Sequence, residues 1–447
     1  MEKRFHYNIM YSGKPGSLIQ NFTIYRLDDL PYCRGRFGGI PGPRGASKPS
    51  CIENRGLAVN KKLSLLAWLV VGLLILTPFA GARPAQAQSP LPSGGSAGHT
   101  LLLPLVMNQK PPAERFGLAL GSGLSDGVDY TGLLAETGAG ALINWRAADY
   151  PVAPGMEYVR VLFIGDTVSS PSGKTRYQES LDVVKSFVPQ RLGSVWLIGN
   201  EPDTSYTDDN GQPQDDLLPE VYADRYYTLA KLIRQLDPTA KIGFGNIVQP
   251  TPLRLRYLAR IWNELVKVAG STQAASGLID IWSTHAFILN EKPGEWGTGV
   301  PPGFEHDYAD ALLIGTNFKL TYSIDEFKQN VRALRSFMAA RGEQNKPLWI
   351  TEYGSLFPPV DPPGIDYVNV SDQDTANFML QTFDFMNQTT DSTLGMPSDG
   401  GRLVQRWFWF SLCGHRYDYG GSLFDPDKGY AVTAVGSAFI HYVQSLP

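Results

Sequence analysis

The sequence predicts an α/β protein whose main domain is a (β/α)8 TIM barrel with long βα loops. From about residue 115 onwards, short apolar segments alternate with longer amphipathic ones, and eight short segments can be distinguished. Most of them are continuous apolar runs, which is typical of parallel strands that are buried on both faces. Eight strand–helix units over roughly 330 residues agree with the size of a barrel with inserted loops.

The eight predicted strands follow one another along the whole domain. The first four are RFGLALG (115–121), GALINWR (140–146), YVRVLFIGD (158–166) and SVWLIGNE (194–201). The second four are KIGFGNIV (241–248), IDIWSTHAF (279–287), PLWITEYG (347–354) and VQRWFWFSL (404–412).

Helical patterns occupy the intervals between these strands. The segments 221–236 and 324–338 repeat apolar residues at spacings of three and four, and Pro238 ends the first of them. Ser371 is a predicted N-cap of the helix after the seventh strand, and a last helix is predicted near 435–445.

A doubly wound open sheet is the competing fold. It would favour a glycine-rich phosphate turn after the first strand. The segment GLALGSGLSDG (117–127) is rich in glycine but lacks the spacing G-x-G-x-x-G, and no acidic residue ends the second strand. The barrel is therefore the better prediction.

The charge of the chain is distributed unevenly. The formal net charge is −4, yet residues 1–60 hold nine Lys/Arg against four Asp/Glu, and residues 61–87 add three more basic residues. The remaining residues are therefore strongly acidic. An acidic domain argues against nucleic acid as a partner, because a polyanion needs a cationic surface.

The first hundred residues predict export. Residues 61–80 read KKLSLLAWLVVGLLILTPFA, and Ala85-Gln86-Ala87 fits a cleavage site for a secretory signal. We therefore interpret 61–87 as a signal peptide or an uncleaved anchor, and we prefer cleavage because Pro78 breaks the apolar run. The domain would be secreted or extracellular, or held at the membrane by this segment.

The domain boundaries follow from this interpretation. Residues 1–60 show no sustained periodicity and stay unassigned; a start codon placed too far upstream would leave them untranslated. Residues 88–113 are predicted to form a linker, and 114–447 the catalytic barrel. No chain is left over for a separate carbohydrate-binding module, and we expect a monomer.

Two predicted strands end on a glutamate in similar surroundings. The fourth reads WLIGNEPD (196–203), and the seventh reads LWITEYGS (348–355). A carboxylate directly after an apolar strand costs desolvation free energy, so it calls for a functional or pairing reason. Two facing carboxyls suit displacement at a sugar anomeric carbon, where one donates a proton and the other attacks.

These motifs resemble clan A of the glycoside hydrolases, retaining enzymes on a (β/α)8 barrel that include cellulases, mannanases, β-1,3-glucanases and β-xylosidases. Asn200-Glu201-Pro202 matches the acid/base motif that ends strand four in that clan. Thr351-Glu352-Tyr353-Gly354 matches the nucleophile motif that ends strand seven. The resemblance covers about residues 115–445.

The resemblance implies hydrolysis of a β-linked polysaccharide or oligosaccharide by double displacement. Glu352 would be the nucleophile and Glu201 the acid/base, with carboxyls about 5–5.5 Å apart. Asn200 would bind the sugar 2-hydroxyl. No cofactor and no metal are expected. Which sugar and linkage are cleaved, and whether cleavage is endo or exo, stays open.

Further residues are predicted to support this site. Arg146 and Arg160 are alternatives for orienting Glu352, with Arg146 preferred, and Trp145 and Trp282 are assigned to the core or to a second layer around the site. Four kinds of substrate contact are expected: His285 lining the subsite, Tyr353 shaping the surroundings of the nucleophile, Trp407 or Trp409 as the platform beneath the sugar, and Trp296 as an outer platform. For Trp296 the alternative is a role as an anchor of its own loop.

Two alternatives compete with the enzyme. In the first, Glu201 and Glu352 pair with arginines in an inert barrel mouth. In the second, the barrel binds glycans at the cell surface without catalysis. Retention of both glutamates in their own motifs favours the enzyme.

Overall fold

The computed structural model describes residues 113–121, 128–168, 172–204, 214–359, 370–415 and 419–446. The predictions for the signal or anchor segment and for nearly all of the linker lie outside these residues. Eight strands form a closed barrel in the order β1 to β8, and every neighbouring pair is parallel. The predicted TIM barrel is therefore confirmed.

All eight predicted strands are present. They are β1 (Ala113–Ala119), β2 (Ala139–Ile143), β3 (Glu157–Leu162), β4 (Val195–Ile198), β5 (Lys241–Ile247), β6 (Ile281–His285), β7 (Leu348–Gly354) and β8 (Arg406–Phe410). After β8, β9 (Phe424–Asp425) and β10 (Ala431–Val432) form a small antiparallel pair.

Eight α-helices are described. They are α1 (Thr131–Thr137), α2 (Arg176–Phe187), α3 (Pro219–Leu236), α4 (Pro252–Ala269), α5 (Thr272–Ser276), α6 (Ile324–Ala339), α7 (Asp372–Gln388) and α8 (Ala434–Ser445). The Ser371 hydroxyl accepts a hydrogen bond from the Asp374 amide, so the predicted N-cap of α7 is confirmed.

One strand–helix unit departs from the expected pattern. Residues 144–156, which join β2 to β3, contain no helix. Pro151, Pro154 and Gly155 interrupt this short connection, and proline removes the backbone donor that a helix needs. The connection is instead fastened by Tyr158, whose hydroxyl donates a hydrogen bond of 2.9 Å to the carbonyl of Arg146.

The strands separate two apolar layers. The inner layer fills the barrel and includes Val159, Leu197 and Phe408. The outer layer lies between the strands and the helices and includes Trp196 and Trp282, both fully buried. Successive side chains of a strand point to opposite faces, so neighbours in sequence enter different layers. Within the described residues, no helix has the length and apolarity needed to cross a bilayer.

Candidate active site

Three strands bring polar side chains together at their carboxyl ends. Glu201 follows β4 by three residues, His285 is the last residue of β6, and Glu352 lies near the end of β7. His285 and Glu352 are direct register partners, and the Ala286 amide donates a 2.9 Å hydrogen bond to the Glu352 carbonyl. The carboxyl end is where the catalytic groups of such barrels gather.

The three side chains are in mutual contact. His285 Nδ1 lies 3.0 Å from Glu201 Oε1 and 3.6 Å from Glu352 Oε2. One oxygen of each carboxyl and a ring nitrogen all lie within 4.8 Å of one another. His285 is fully buried, whereas the side chains of Glu201 and Glu352 keep exposed fractions of 10% and 12%. Both carboxyls therefore keep a small exposed area.

Register shifts allow Glu352 to enter this cluster. The β6–β7 pairing shifts between Thr284 and His285, and the β7–β8 pairing shifts between Ile350 and Tyr353. A bulge interrupts the alternation of a strand and turns a side chain to a new direction. Glu352 consequently contacts His285, while its neighbour Tyr353 points outward to the helices.

Three strand ends adopt backbone conformations that L residues rarely take. The φ angles of Trp145, Glu201 and Asn246 are 55°, 45° and 47°. Such strain persists only where the surroundings enforce it, and it is common at functional sites. Here the Glu201 amide donates to the Asn246 carbonyl at 3.0 Å, and the Asn246 side-chain amide donates to the Gly199 carbonyl at 2.7 Å. These hydrogen bonds fix the backbone position from which the Glu201 side chain extends.

Both the main chain and the side chain of Asn200 form hydrogen bonds. Its main-chain amide donates to Asp215 Oδ2 at 2.7 Å, and its side-chain Nδ2 donates to Gln214 Oε1 at 2.8 Å. Its buried Oδ1 has no hydrogen-bond partner within the described part of the chain. Burial raises the pKa of the Asp215 carboxyl to about 6, although hydrogen bonds from backbone amides oppose this shift.

The carboxyl of Glu352 holds its proton more tightly than an ordinary glutamate. Burial raises its pKa, the nearby Glu201 raises it further, and His285 and a hydrogen bond from the Trp145 indole oppose the rise. For His285, burial lowers the pKa, but the two carboxylates outweigh it and the net direction is upward. Because the two glutamates are so close, their titration belongs to the pair.

Neither of the two alternative arginines is among the described ion-pair partners of Glu352. Arg146 is exposed, and it is the neighbouring Trp145 whose side chain lowers the pKa of Glu352. Arg160 points into the outer layer, where it pairs with Asp149 at 2.7 Å and lies over the Trp196 ring. The described ion pairs of Glu201 and Glu352 are made with His285. The alternative in which Glu201 and Glu352 pair with these arginines is therefore wrong.

The predicted sugar platform on β8 is also wrong. Trp407 and Trp409 are fully buried in the outer layer, where both contact Phe383 of α7. Their partners in the alternation, Phe408 and Phe410, face the barrel interior. The sequence showed that the two tryptophans share a side, but it did not show which side.

Tyr353 does not shape the space around the Glu352 carboxyl either. Its hydroxyl forms a 3.2 Å hydrogen bond with Thr382 of α7, and its ring contacts Trp409 edge-on at 5.2 Å. Its side chain is fully buried in the outer layer. It anchors α7 to the barrel behind Glu352.

Trp296 lies at the surface of the long loop after β6. Its exposed fraction is 42%, and its ring contacts Phe357 at 4.9 Å and Phe318 at 5.5 Å. Phe357 belongs to the loop after β7, only five residues beyond Glu352. The exposed indole is therefore carried by the same end of the barrel as the two carboxyls.

Two features of the site were missed in the sequence. Trp145 was assigned to the core or to a second layer, and only the structure shows that its side chain lowers the pKa of Glu352. Arg254 of α4 forms buried ion pairs with Asp203 and Glu291. Asp203 directly follows the Asn-Glu-Pro motif, which was a usable signal, whereas no pattern around Arg254 or Glu291 pointed to this contact.

The Glu201–His285–Glu352 cluster has the donor types and spacing that a cation could share. However, Nδ1 of His285 is engaged with both carboxyls, and this arrangement is that of a hydrogen-bonded acid–base group.

Part of the chain matches the model of a known protein family. Residues 317–439 match the family described as glycosyl hydrolase catalytic core. No curated protein matches the chain.

Three of the similar solved structures share 16–17% of their residues with the chain. One is a curdlan-specific exo-β-1,3-glucanase from Blastomyces gilchristii (16% identity, 74% of this chain, 98% of that one, TM-score 0.44). Another is an endo-β-1,3-glucanase from Amycolatopsis mediterranei (17%, 73%, 98%, TM-score 0.42). A third is a β-xylosidase from Caulobacter crescentus (16%, 75%, 69%, TM-score 0.43). Identities this low do not transfer a substrate.

Proposed function

We propose that this chain is a glycoside hydrolase of the clan A type and that it cleaves β-linked glycans by double displacement. The observation that carries this proposal is the approach of the two strand-end glutamates, with one oxygen of each within 4.8 Å of the other. Retaining enzymes place their carboxyls about 5–5.5 Å apart, whereas inverting enzymes need about 6.5–9.5 Å to fit a water molecule.

The proposed reaction has two steps. In the first, Glu201 gives its proton to the glycosidic oxygen while a Glu352 oxygen attacks the anomeric carbon; the bond to the leaving group breaks and a glycosyl ester forms. In the second, Glu201 takes a proton from water, the water oxygen attacks the same carbon, and the ester bond to Glu352 breaks. Each step inverts the anomeric carbon, so the configuration is retained.

The proposed division of roles requires one proton on the pair of glutamates. Two carboxyls this close hold one proton between them over a wide pH range. Burial and the nearby Glu201 raise the pKa of Glu352. The proposed reaction requires Glu352 to be ionised and the proton of the pair to lie on Glu201. His285 Nδ1 contacts both carboxyls and is placed to stabilise the ionised partner.

Product stereochemistry tests the proposal directly. The purified protein is incubated with β-1,3-glucan, β-1,4-glucan, mannan and xylan oligosaccharides, and the first reducing ends are observed by NMR before they mutarotate. We expect the β anomer to appear first. The α anomer would contradict double displacement, and binding without any turnover would favour the catalytically silent barrel.

We also propose that the barrel is exported. The support is the signal-like segment 61–87, which lies outside the described residues. Expression of the full chain in a secreting host, followed by N-terminal sequencing, is expected to give a mature start at Gln88. Retention of the protein in the cytoplasm would contradict export.

Trp296 is proposed as a platform for an outer sugar unit. Replacing it by alanine is expected to raise KM about 10-fold for long oligosaccharides, because a sugar face would lose its stacking partner. KM for a short aryl glycoside, which ends before this loop, is expected to stay unchanged. Tyr308→Ala, which removes another exposed ring of the same loop, is the matched control. Equal effects on short and long substrates would contradict the platform.

Trp145 is proposed to orient the nucleophile. Trp145→Phe keeps the ring but removes the indole donor that favours ionised Glu352, so the acidic limb of kcat/KM is expected to move to higher pH. The rate is expected to fall about 10-fold, since a hydrogen bond to a charged group is lost. Trp407→Phe is the control, because that buried indole nitrogen has no hydrogen-bond partner among the described residues. A similar pH shift in both variants would contradict this role.

A further inference from the structure

A buried arginine joins the loop after β4 to the loop after β6. Arg254 is the third residue of α4, and its side chain has no exposed area. Because α4 follows β5, its first turn lies at the carboxyl end of the barrel, where the two glutamates are. The guanidinium Nε lies 2.7 Å from Asp203 Oδ2, and Nη1 lies 2.6 Å from Glu291 Oε1. Each carboxylate belongs to one of the two loops.

The same guanidinium also contacts a later part of the loop after β6. Nη2 donates a hydrogen bond of 2.9 Å to the hydroxyl of Thr298, and Nη1 and Nη2 each donate one of 3.2 Å to the Gly299 carbonyl. A further hydrogen bond of 3.2 Å joins Nη2 to the Asp203 carbonyl. The planar fork of an arginine can bind these partners together, whereas the single ammonium group of a lysine cannot.

A second contact connects the same two loops. The Thr204 hydroxyl, three residues beyond Glu201, donates a 3.0 Å hydrogen bond to the Thr298 carbonyl. The Thr298 amide donates a 2.9 Å hydrogen bond to the Asn290 carbonyl. Thr298 lies two residues after Trp296 in the sequence. These contacts therefore fix the backbone next to the exposed indole relative to the segment that carries Glu201.

The glycine between Trp296 and Thr298 allows this attachment. The φ angle of Gly297 is 129°, a conformation that side chains with a Cβ rarely adopt. A Cβ at this position would lie 2.0 Å from the Asn290 carbonyl oxygen, so the backbone could not approach as closely. Trp296 therefore leaves the loop at a defined point, and its ring contacts Phe357 at 4.9 Å.

This inference rests on the glycosidase function and on the role of Trp296 proposed above. We propose that Arg254 is a positioning residue, which holds the outer sugar platform Trp296 at a fixed distance from Glu201. An oligosaccharide that stacks on the indole then has its scissile bond placed at the two glutamates. Binding free energy from an outer sugar unit is thereby used to orient the reacting one.

Arg254→Lys in the full chain tests the proposal. Lysine keeps the positive charge between Asp203 and Glu291 but lacks the fork that also binds Thr298 and Gly299. We measure kcat/KM for a long oligosaccharide that the wild type cleaves and for a short aryl glycoside, which ends before Trp296. We expect the first value to fall about 5-fold and the second to change by less than about 2-fold, since only the long substrate uses the platform.

Arg335→Lys is the matched control. Arg335 of α6 is another arginine without exposed area, and it donates hydrogen bonds to the carbonyls of Lys346, at 3.0 Å, and of Leu403. These carbonyls precede β7 and β8 and therefore lie at the amino end of the barrel, away from the glutamates. We expect this variant to melt earlier and to keep the wild-type ratio of the two kcat/KM values.

A double variant shows whether Arg254 acts through the platform. We expect Arg254→Lys to leave the ratio of long to short substrate unchanged when it is added to Trp296→Ala, because the indole that it positions is already gone. A further fall of the ratio in the double variant would overturn the proposal, since Arg254 would then act on a different group.

The outcomes separate the levels of the argument. A wild type that cleaves no glycoside would overturn the proposed function itself. Equal losses on both substrates in Trp296→Ala would overturn the platform and this inference with it. Equal losses on both substrates in Arg254→Lys, with a length-dependent loss in Trp296→Ala, would overturn the role of Arg254 alone.

Thr298→Val replaces Arg254→Lys as the test where the lysine variant does not fold. It removes only the hydroxyl that accepts a hydrogen bond from Arg254 and keeps the shape of the side chain. We expect the ratio of long to short substrate to fall about 3-fold, because one of the hydrogen bonds that hold this loop is lost. An unchanged ratio would overturn the proposal.

Discussion

Replacing Glu352 by alanine is expected to lower kcat on β-glycosides by about 10⁴-fold or more, because the glycosyl ester can no longer form. Azide is expected to restore turnover of an activated aryl β-glycoside, since the truncated side chain leaves room for a small anion. Azide would attack once, from the side that Glu352 occupied, and give the α-glycosyl azide. NMR identifies this product.

Glu352→Gln is the control for folding. The pKa of Glu352 is raised to about 8, from an ordinary value of 4.5, mainly by burial. Ionisation is therefore easier in the unfolded chain, and the wild type loses stability as the pH rises from 4.5 towards 8. The amide variant lacks this loss, so its melting temperature at pH 8 is expected to exceed that of the wild type. An inactive variant that also melts earlier would indicate damage to the fold.

One azide product of Glu352→Ala would contradict the assignment of Glu352 as the nucleophile. If azide yields the β-glycosyl azide in Glu352→Ala, two displacements still occur and another residue forms the covalent bond. Labelling by an activated fluoro-sugar provides an independent check, because the ester is expected on the peptide that contains Glu352 and on no other.

Replacing Glu201 by alanine is expected to lower kcat/KM by about 10³-fold for oligosaccharides, whose leaving alcohol needs a proton. The loss is expected to be much smaller for a dinitrophenyl glycoside, which leaves without protonation. With that substrate, the glycosyl-enzyme is expected to accumulate, because no base activates water. Azide would then intercept it and give the β-glycosyl azide.

The pH profile supplies the second measurement for Glu201. The alkaline limb of kcat/KM is expected to vanish in Glu201→Ala, since that limb reports the ionisation of the acid. Asp216→Ala is a suitable control, because this carboxyl belongs to the same loop but lies outside the cluster. Equal losses on good and poor leaving groups would contradict the acid/base role.

The sequence predicted the fold because every strand carried its own signal. Continuous apolar runs such as SVWLIGNE and PLWITEYG are typical of strands in a parallel sheet that is buried on both faces. The β2–β3 connection departed from the pattern because its prolines and glycine prevent a helix there. The expected helix followed from the repeat of strand–helix units over the whole domain, and not from these residues.

The site was predicted unevenly. Glu201, Glu352 and His285 were found because a strand end fixes which end of the barrel a residue occupies, and all three lie at the same end. Trp407, Trp409 and Tyr353 were misplaced because their layer depends on the phase of each strand. That phase is set by register shifts such as the one between Ile350 and Tyr353.

The sequence by itself therefore determined the barrel and the two glutamates, since both follow from order and spacing along one chain. The tertiary structure alone decided which indole reaches Glu352 and that Arg254 joins Asp203 to Glu291. These contacts link distant segments, and their geometry depends on side-chain direction, which a bulge or a left-handed backbone residue changes without leaving a periodic trace.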